Sequence, residues 1–188
     1  DYRQHNIDTA KNEHKNIDKS KHLLISKTAA LREMQEEAAL KLSPESLQLC
    51  STWLTPEPMK KRFSAYFFIA ESHTSKVGID GSEIHDFQWL SPKEALDQQK
   101  TGKITLPPPT FVSLTYLAQY QRKQAALQAM TRQPIHFRPK LVPIEGGFCS
   151  LYEDDAGYEK ADINTQGQLH RLLFQHGQYT YLKDKSLK

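Results

Sequence analysis

The hydrophobic period changes three times along this chain, and the order of those changes limits the architectures open to it. From about Ser26 to Lys41 apolar side chains recur at helical spacing, with Leu31, Met34, Ala38 and the preceding Leu24 on one face. Ser43-Pro44 closes that run. "LQLCSTWLT" and "RFSAYFFIAE" follow, dense in the aromatic and β-branched residues that suit strands, with the two-proline "TPEPMKK" as a loop between them. "SHTSKVGIDGS" reads as a polar loop and "EIHDFQWL" as a half-buried strand. Helical patterning returns in "SPKEALDQQKTG": Ser91 caps, Pro92 takes the first turn, Glu94 completes a capping box and Gly102 ends the helix. The rigid "LPPPT" elbow then feeds a long helix from about Thr110 to Thr131. After Pro134, "IHFRPKLVPI", "GGFCSLY", "GQLHRLLFQ" and "QYTYLKD" read as strands, with Gly146-Gly147 and His176-Gly177 as turns. Helix, strands, helices, strands predicts an α+β fold ahead of a doubly wound α/β sheet.

The 188 residues are 38% hydrophobic, enough for one sizeable core with a small appendage. The formal net charge is only +3 and no basic stripe is interleaved with aromatics, which argues against a nucleic-acid partner. No apolar run approaches bilayer-spanning length and no hydrophobic signal region opens the chain, so no membrane partner is expected either. The terminal "KDKSLK" is not the Ser-Lys-Leu peroxisomal address, and the expected compartment is the cytoplasm. Cys50 and Cys149, two and far apart, are expected to be buried reduced thiols and not a disulfide or zinc framework. Asp1 to His22 is polar, with hardly an apolar residue, and reads as a loop or mobile arm.

The chemistry concentrates in "TAALREMQEEAAL". Glu33, Glu36 and Glu37 are spaced by three and four, so on a helix their carboxylates share a face. Three like charges there repel unless water, lysines or a divalent cation offsets them, and hard cations such as Mg²⁺ and Mn²⁺ favour such oxygen donors. Arg32 stands where it can clamp one carboxylate. Spacing alone leaves two readings open, a solvated surface helix and a metal site. Trp53 and Trp89 are expected in the core ahead of any role as substrate platforms.

"REMQEEAAL" resembles the core of the Nudix box, GX5EX7REUXEEXGU, through Arg32, Glu33, Met34, Glu36, Glu37 and Leu40. Ala39 stands where the box has Gly and is expected as a small-residue swap within the helix's last turn. Upstream, Leu24 falls where the box has Glu and Asp18 where it has Gly. The acyl-CoA (coenzyme A) diphosphatase branch of the peroxisomal type carries an insertion inside its box, and residues 1–22 resemble that insertion. "STWLTPEPMKKRFSAYFFIAE", "FQWLSPKEAL" and "ITLPPPT" are similar, in order, to further motifs of that branch, and "GGFCSLYEDDAGYE" is a looser echo of its Leu-Pro-Gly-Asp-x-x-Tyr segment.

The resemblance implies a Nudix-like mixed sheet flanked by helices, with a small antiparallel C-terminal β extension. It also implies a division into residues 1–22 (insertion or arm), 23–133 (Nudix-like domain) and 134–188 (extension), with the strands before the helix lying upstream of this chain's first residue. The implied reaction is metal-dependent hydrolysis of the diphosphate of CoA or acyl-CoA to 3′,5′-ADP and (acyl-)4′-phosphopantetheine. Mg²⁺ or Mn²⁺ would be held by Glu33, Glu36 and Glu37, with Arg32 positioning a glutamate. Glu83 and Glu37 compete as general base, and Arg62 is a candidate for holding a phosphate. The partner is a nucleotide-type small molecule, with a homodimer left open. Two alternatives stand beside this reading: hydrolysis of another nucleoside diphosphate derivative such as NADH or ADP-ribose, and a non-catalytic Nudix-like binding domain.

Overall fold

Residues 1–43 contain neither glycine nor proline, and the first helix uses that freedom in full. In the computed structural model, which describes residues 2–184 except 58, 60, 75 and 80–85, and residues 2–19 as backbone only, helix α1 runs from Tyr2 to Ala38. The start expected near Ser26 is therefore moved upstream, and residues 2–22, expected as a loop or arm, are helical. Polarity suggested a loop, but polarity without a breaking residue does not end a helix.

The chain forms two compact units, residues 1–48 with 68–88, and residues 49–67 with 89–188. The first holds α1 and the loop segments that follow its end, with Leu40 and Leu47 buried. The second holds helices α2 (Pro92–Lys100), α3 (Pro108–Leu117) and α4 (Lys123–Arg132) together with most of the strands. The α2 capping box forms as expected: the Ser91 N–H donates to the Glu94 carboxylate at 2.8 Å while the Ser91 hydroxyl accepts from the Glu94 N–H at 3.3 Å. The long helix expected from Thr110 to Thr131 is instead α3 and α4. Residues 118–125 are all exposed, so no packed face carries a continuous helix through them.

Strands β1 (Gln48–Leu54), β2 (Ser64–Ile69) and β3 (Ile135–Phe137) form a sheet of order β2-β1-β3, with β3 parallel to β1 and Trp53 opposite Phe137. Strands β4 (Lys140–Ile144), β5 (Gly147–Leu151), β6 (His170–Gln175) and β7 (Gln178–Lys183) form an antiparallel meander. The α+β reading thus holds, with a mixed sheet, an antiparallel sheet and four helices. "IHFRPKLVPI", read as one strand, is two strands in two sheets. Pro139 supplies no N–H and restricts Arg138, which breaks the ladder between them. His176 and Gly177, at φ +50° and +79°, make the two-residue turn that registers Gln175 against Gln178. Asp86–Leu90, expected as part of a strand, is not one: Phe87 and Trp89 are exposed, and among the described residues no strand pairs with that segment.

The core lies in the second unit. Trp53 stacks on Phe137 with centroids 3.9 Å apart, Tyr152 meets both edge-on, and Phe111, Val112 and Leu172 close the cluster. Trp53 is the core residue the sequence suggested. Trp89, expected beside it, is 58% exposed. Cys50 and Cys149 are free and buried, and burial pushes the Cys149 thiol up to about 11.

Candidate active site

The acidic cluster occupies the last turns of α1. Arg32 Nε lies 3.6 Å from Glu36 Oε2, an exposed i,i+4 pair. Glu33 is exposed and Glu37 half-buried. No basic residue sits in the last turn, so the carboxylates face the negative end of the helix dipole with Arg32 as the cation beside them. This field favours an added cation. Among the described residues no three His, Cys, Asp or Glu side chains are gathered to hold a metal ion, so the expected convergence of all three carboxylates is not assembled. The donors still suit a hard cation, because Mg²⁺ takes one or two carboxylates and fills its other positions with water and substrate phosphate.

The helix ends in a way the sequence did not suggest. Ala39 lies beyond the helix at φ +53°, in the left-handed region, and the Leu40 N–H reaches back to the Met34 carbonyl at 3.1 Å. This is the position where glycine dominates helix ends, since a Cβ there costs roughly 1 kcal/mol. The substitution is therefore not neutral within a last turn; it places a methyl on a strained cap. Gly78 approaches this cap, and its N–H donates to the Ala38 carbonyl at 3.0 Å.

Arg62 sits in the second unit, on the loop joining β1 to β2. Its Nε donates to the Thr55 carbonyl at 3.3 Å and its Nη1 meets Glu57 at 3.1 Å. The Phe63 N–H donates to Thr55 Oγ1 at 2.9 Å and the Thr55 N–H to the Phe63 carbonyl at 2.9 Å, closing the loop at its base. Glu83 lies outside the described residues.

Sequence reasoning passed over a buried and tightly bonded charge pair. Asp155 is buried and accepts from Arg171 Nε and Nη2, both at 2.7 Å, and from the His170 and Gly157 N–H groups, both at 2.8 Å. Burial pushes the Asp155 carboxyl up, but the Arg171 hydrogen bond and the two N–H groups outweigh it and hold it below its ordinary value. Three residues on, the Tyr158 hydroxyl donates to the Arg138 carbonyl at 2.8 Å. The Asp-x-x-Tyr spacing inside "GGFCSLYEDDAGYE" was the signal that could have found this pair of anchors. Their role here is to fix the segment between β5 and β6.

Next to this pair lies His170, 3% exposed. Its Nε2 is 2.8 Å from the Tyr181 hydroxyl, which is 3.0 Å from the Tyr116 hydroxyl, which accepts from Lys183 Nζ at 2.8 Å. Burial, reinforced by the Lys183 charge, lowers His170 to about 4 against the pull of Asp154 at 3.6 Å. The unfolded chain takes up this proton near 6.5. Between those values the unfolded state binds more protons, so stability is full above pH 6.5 and is lost as the pH falls toward 4. Urea titrations across this window should show the midpoint falling with pH, and His170→Gln should flatten that dependence. An unchanged slope in the variant would remove His170 from the account.

A family model for the NUDIX domain matches residues 26–109, from the C-terminal third of α1 to the start of α3. Over these residues the chain is similar to the NUDIX domain family. The match contains Arg32, Glu33, Glu36, Glu37 and the loop of Arg62. Among curated relatives, the chain is similar to the acyl-coenzyme A diphosphatase NUDT19 of Xenopus laevis, 29% identical over 165 residues, which cover 73% of this chain and 43% of the relative. The human acyl-coenzyme A diphosphatase NUDT19 is 36% identical over 73 residues, covering 37% of this chain and 20% of the relative. A putative nudix hydrolase 7 of Caenorhabditis elegans is 33% identical over 69 residues, covering 36% and 23%. The chain thus spans less than half the length of these relatives. No solved structure matches it.

Proposed function

We propose that this chain hydrolyses the diphosphate of coenzyme A or an acyl-CoA, releasing 3′,5′-ADP and (acyl-)4′-phosphopantetheine. The observation that carries the reading is the Arg32-Glu33-Met34-Gln35-Glu36-Glu37 run on the last turns of α1, inside the residues the Nudix family matches. The names of the frog and human relatives supply the substrate class.

Glu33, Glu36 and Glu37 would be the residues that hold Mg²⁺ or Mn²⁺, as hard oxygen donors. A bound divalent cation supplies charge neutralisation of the diphosphate and an acidified water. Arg32, 3.6 Å from Glu36, would position that carboxylate and would not itself bind the cation. Glu37 is the candidate base on this helix, and Glu83 is the second candidate. Arg62 remains the candidate for holding a phosphate, its guanidinium oriented within its own loop by Thr55 and Glu57. The net reaction adds one water: its oxygen bonds to phosphorus, the bridging P–O bond breaks, and the leaving phosphate retains the bridging oxygen.

The deciding experiment incubates the protein with CoA, NADH and ADP-ribose in the presence of Mg²⁺ and separates the products. CoA should be turned over preferentially, to 3′,5′-ADP. Preference for NADH or ADP-ribose would overturn the CoA assignment while keeping the chemistry. Turnover of none would favour a binding domain.

A further inference from the structure

The end of α1 and the chain segment around Gly78 fit each other through the absence of one atom. The Gly78 N–H caps the Ala38 carbonyl at 3.0 Å, satisfying one of the acceptors a helix leaves open at its C-terminus. A Cβ on Gly78 would lie 3.0 Å from the Ala39 Cβ, tighter than nine in ten real Cβ contacts, so one of the two must give by a few tenths of an ångström. Neither methyl could turn aside, because each Cβ is fixed by its backbone, and Ala39 is held at φ +53° with the Leu40 N–H bonded back to Met34. Where the family's box has its glycine on the helix end, this chain has alanine there and a glycine on the segment opposite.

We propose that Gly78 is a positioning residue for the active site: it holds the last turn of α1, and with it Glu36 and Glu37, through a hydrogen bond whose present geometry a Cβ at position 78 would displace while Ala39 stands opposite. This rests on the reading of Glu36 and Glu37 as cation-holding groups. Gly78 touches no substrate. Its contribution is the angle at which the two carboxylates leave the helix, and a shift of a few tenths of an ångström at Ala38 is passed to them directly along the α1 backbone.

The test compares the wild type with Gly78→Ala, Ala39→Gly and the double variant Ala39→Gly/Gly78→Ala, with Mn²⁺ alone as the probe. Mn²⁺ affinity is read by calorimetry, and amide hydrogen exchange is read across residues 34–40. Gly78→Ala should weaken Mn²⁺ about tenfold, the scale of losing a residue that orients a ligand, and should speed exchange in that turn by a similar factor. The double variant removes the opposing methyl and should restore both. A general packing defect would lower the melting temperature without selective rescue by Ala39→Gly. Unchanged affinity and exchange in Gly78→Ala would overturn the proposal, as would a double variant no better than the single one. If the wild type binds no Mn²⁺, the metal reading fails by itself, and the exchange data still decide whether Gly78 holds the turn.

Discussion

Asp155→Ala is expected to destabilise the protein by about 3–5 kcal/mol, because it strands a buried guanidinium. Arg171 is 6% exposed, and both of its bonds to Asp155 are 2.7 Å long. Without the carboxylate it retains its bond to the Ile163 carbonyl, 2.8 Å from its Nη1. The His170 and Gly157 N–H groups lose their acceptor in the same substitution. At this chain length the loss corresponds to a melting temperature lower by on the order of 10 °C. Arg171→Ala should cost nearly as much, and the double variant little more than either, since the two residues act as one unit. Additive losses in that cycle would mean that the pair is not the source of the stability. The pair also adds to the acid sensitivity set by His170. The Asp155 carboxyl titrates below its ordinary value, so its contribution is present above that value and disappears as the pH falls through the lowered one.

Glu36→Gln should do the opposite: leave stability almost unchanged and remove activity. Glu36 is exposed, and its 3.6 Å pair with Arg32 is worth at most a few tenths of a kcal/mol. Removing one of three like charges from the negative end of a helix also relieves repulsion. Its carboxylate is nevertheless one of the hard oxygen donors the reaction would need, so turnover of CoA should fall on the order of a hundredfold or more. Mn²⁺ affinity should fall with it while the melting temperature holds. Full activity in Glu36→Gln would show that the metal assignment is wrong. An equal loss in activity and melting temperature would show a structural role.

What could be read from the sequence was local, and what could not was long-range. The Ser91–Glu94 capping box and the His176-Gly177 turn follow from a few adjacent residues and formed as expected. The acidic cluster was legible as a spacing. Its cap was not, because the conformation of Ala39 depends on backbone bonds reaching to Met34 and to Gly78. The Asp155–Arg171 pair spans 16 residues, and two opposite charges at that distance in a sequence carry no mark of burial. Ile135–Phe137 reads as the beginning of the meander until its pairing with β1 assigns it to the other sheet.

That same pairing bears on the order in which the chain assembles. Thr52 and His136, which meet across the β1–β3 ladder, are 84 residues apart, and closing a loop of that length costs on the order of 4 kcal/mol in chain entropy. Among the described residues, strands β4 to β7 pair only with their neighbours in sequence. Local pairings form faster than distant ones, so pulse-labelled refolding should protect amides of β5 and β6 before those of β1. Protection of β1 first would reverse this order. The stack of Trp53 on Phe137 is then the latch that completes the second unit, not the nucleus around which it condenses.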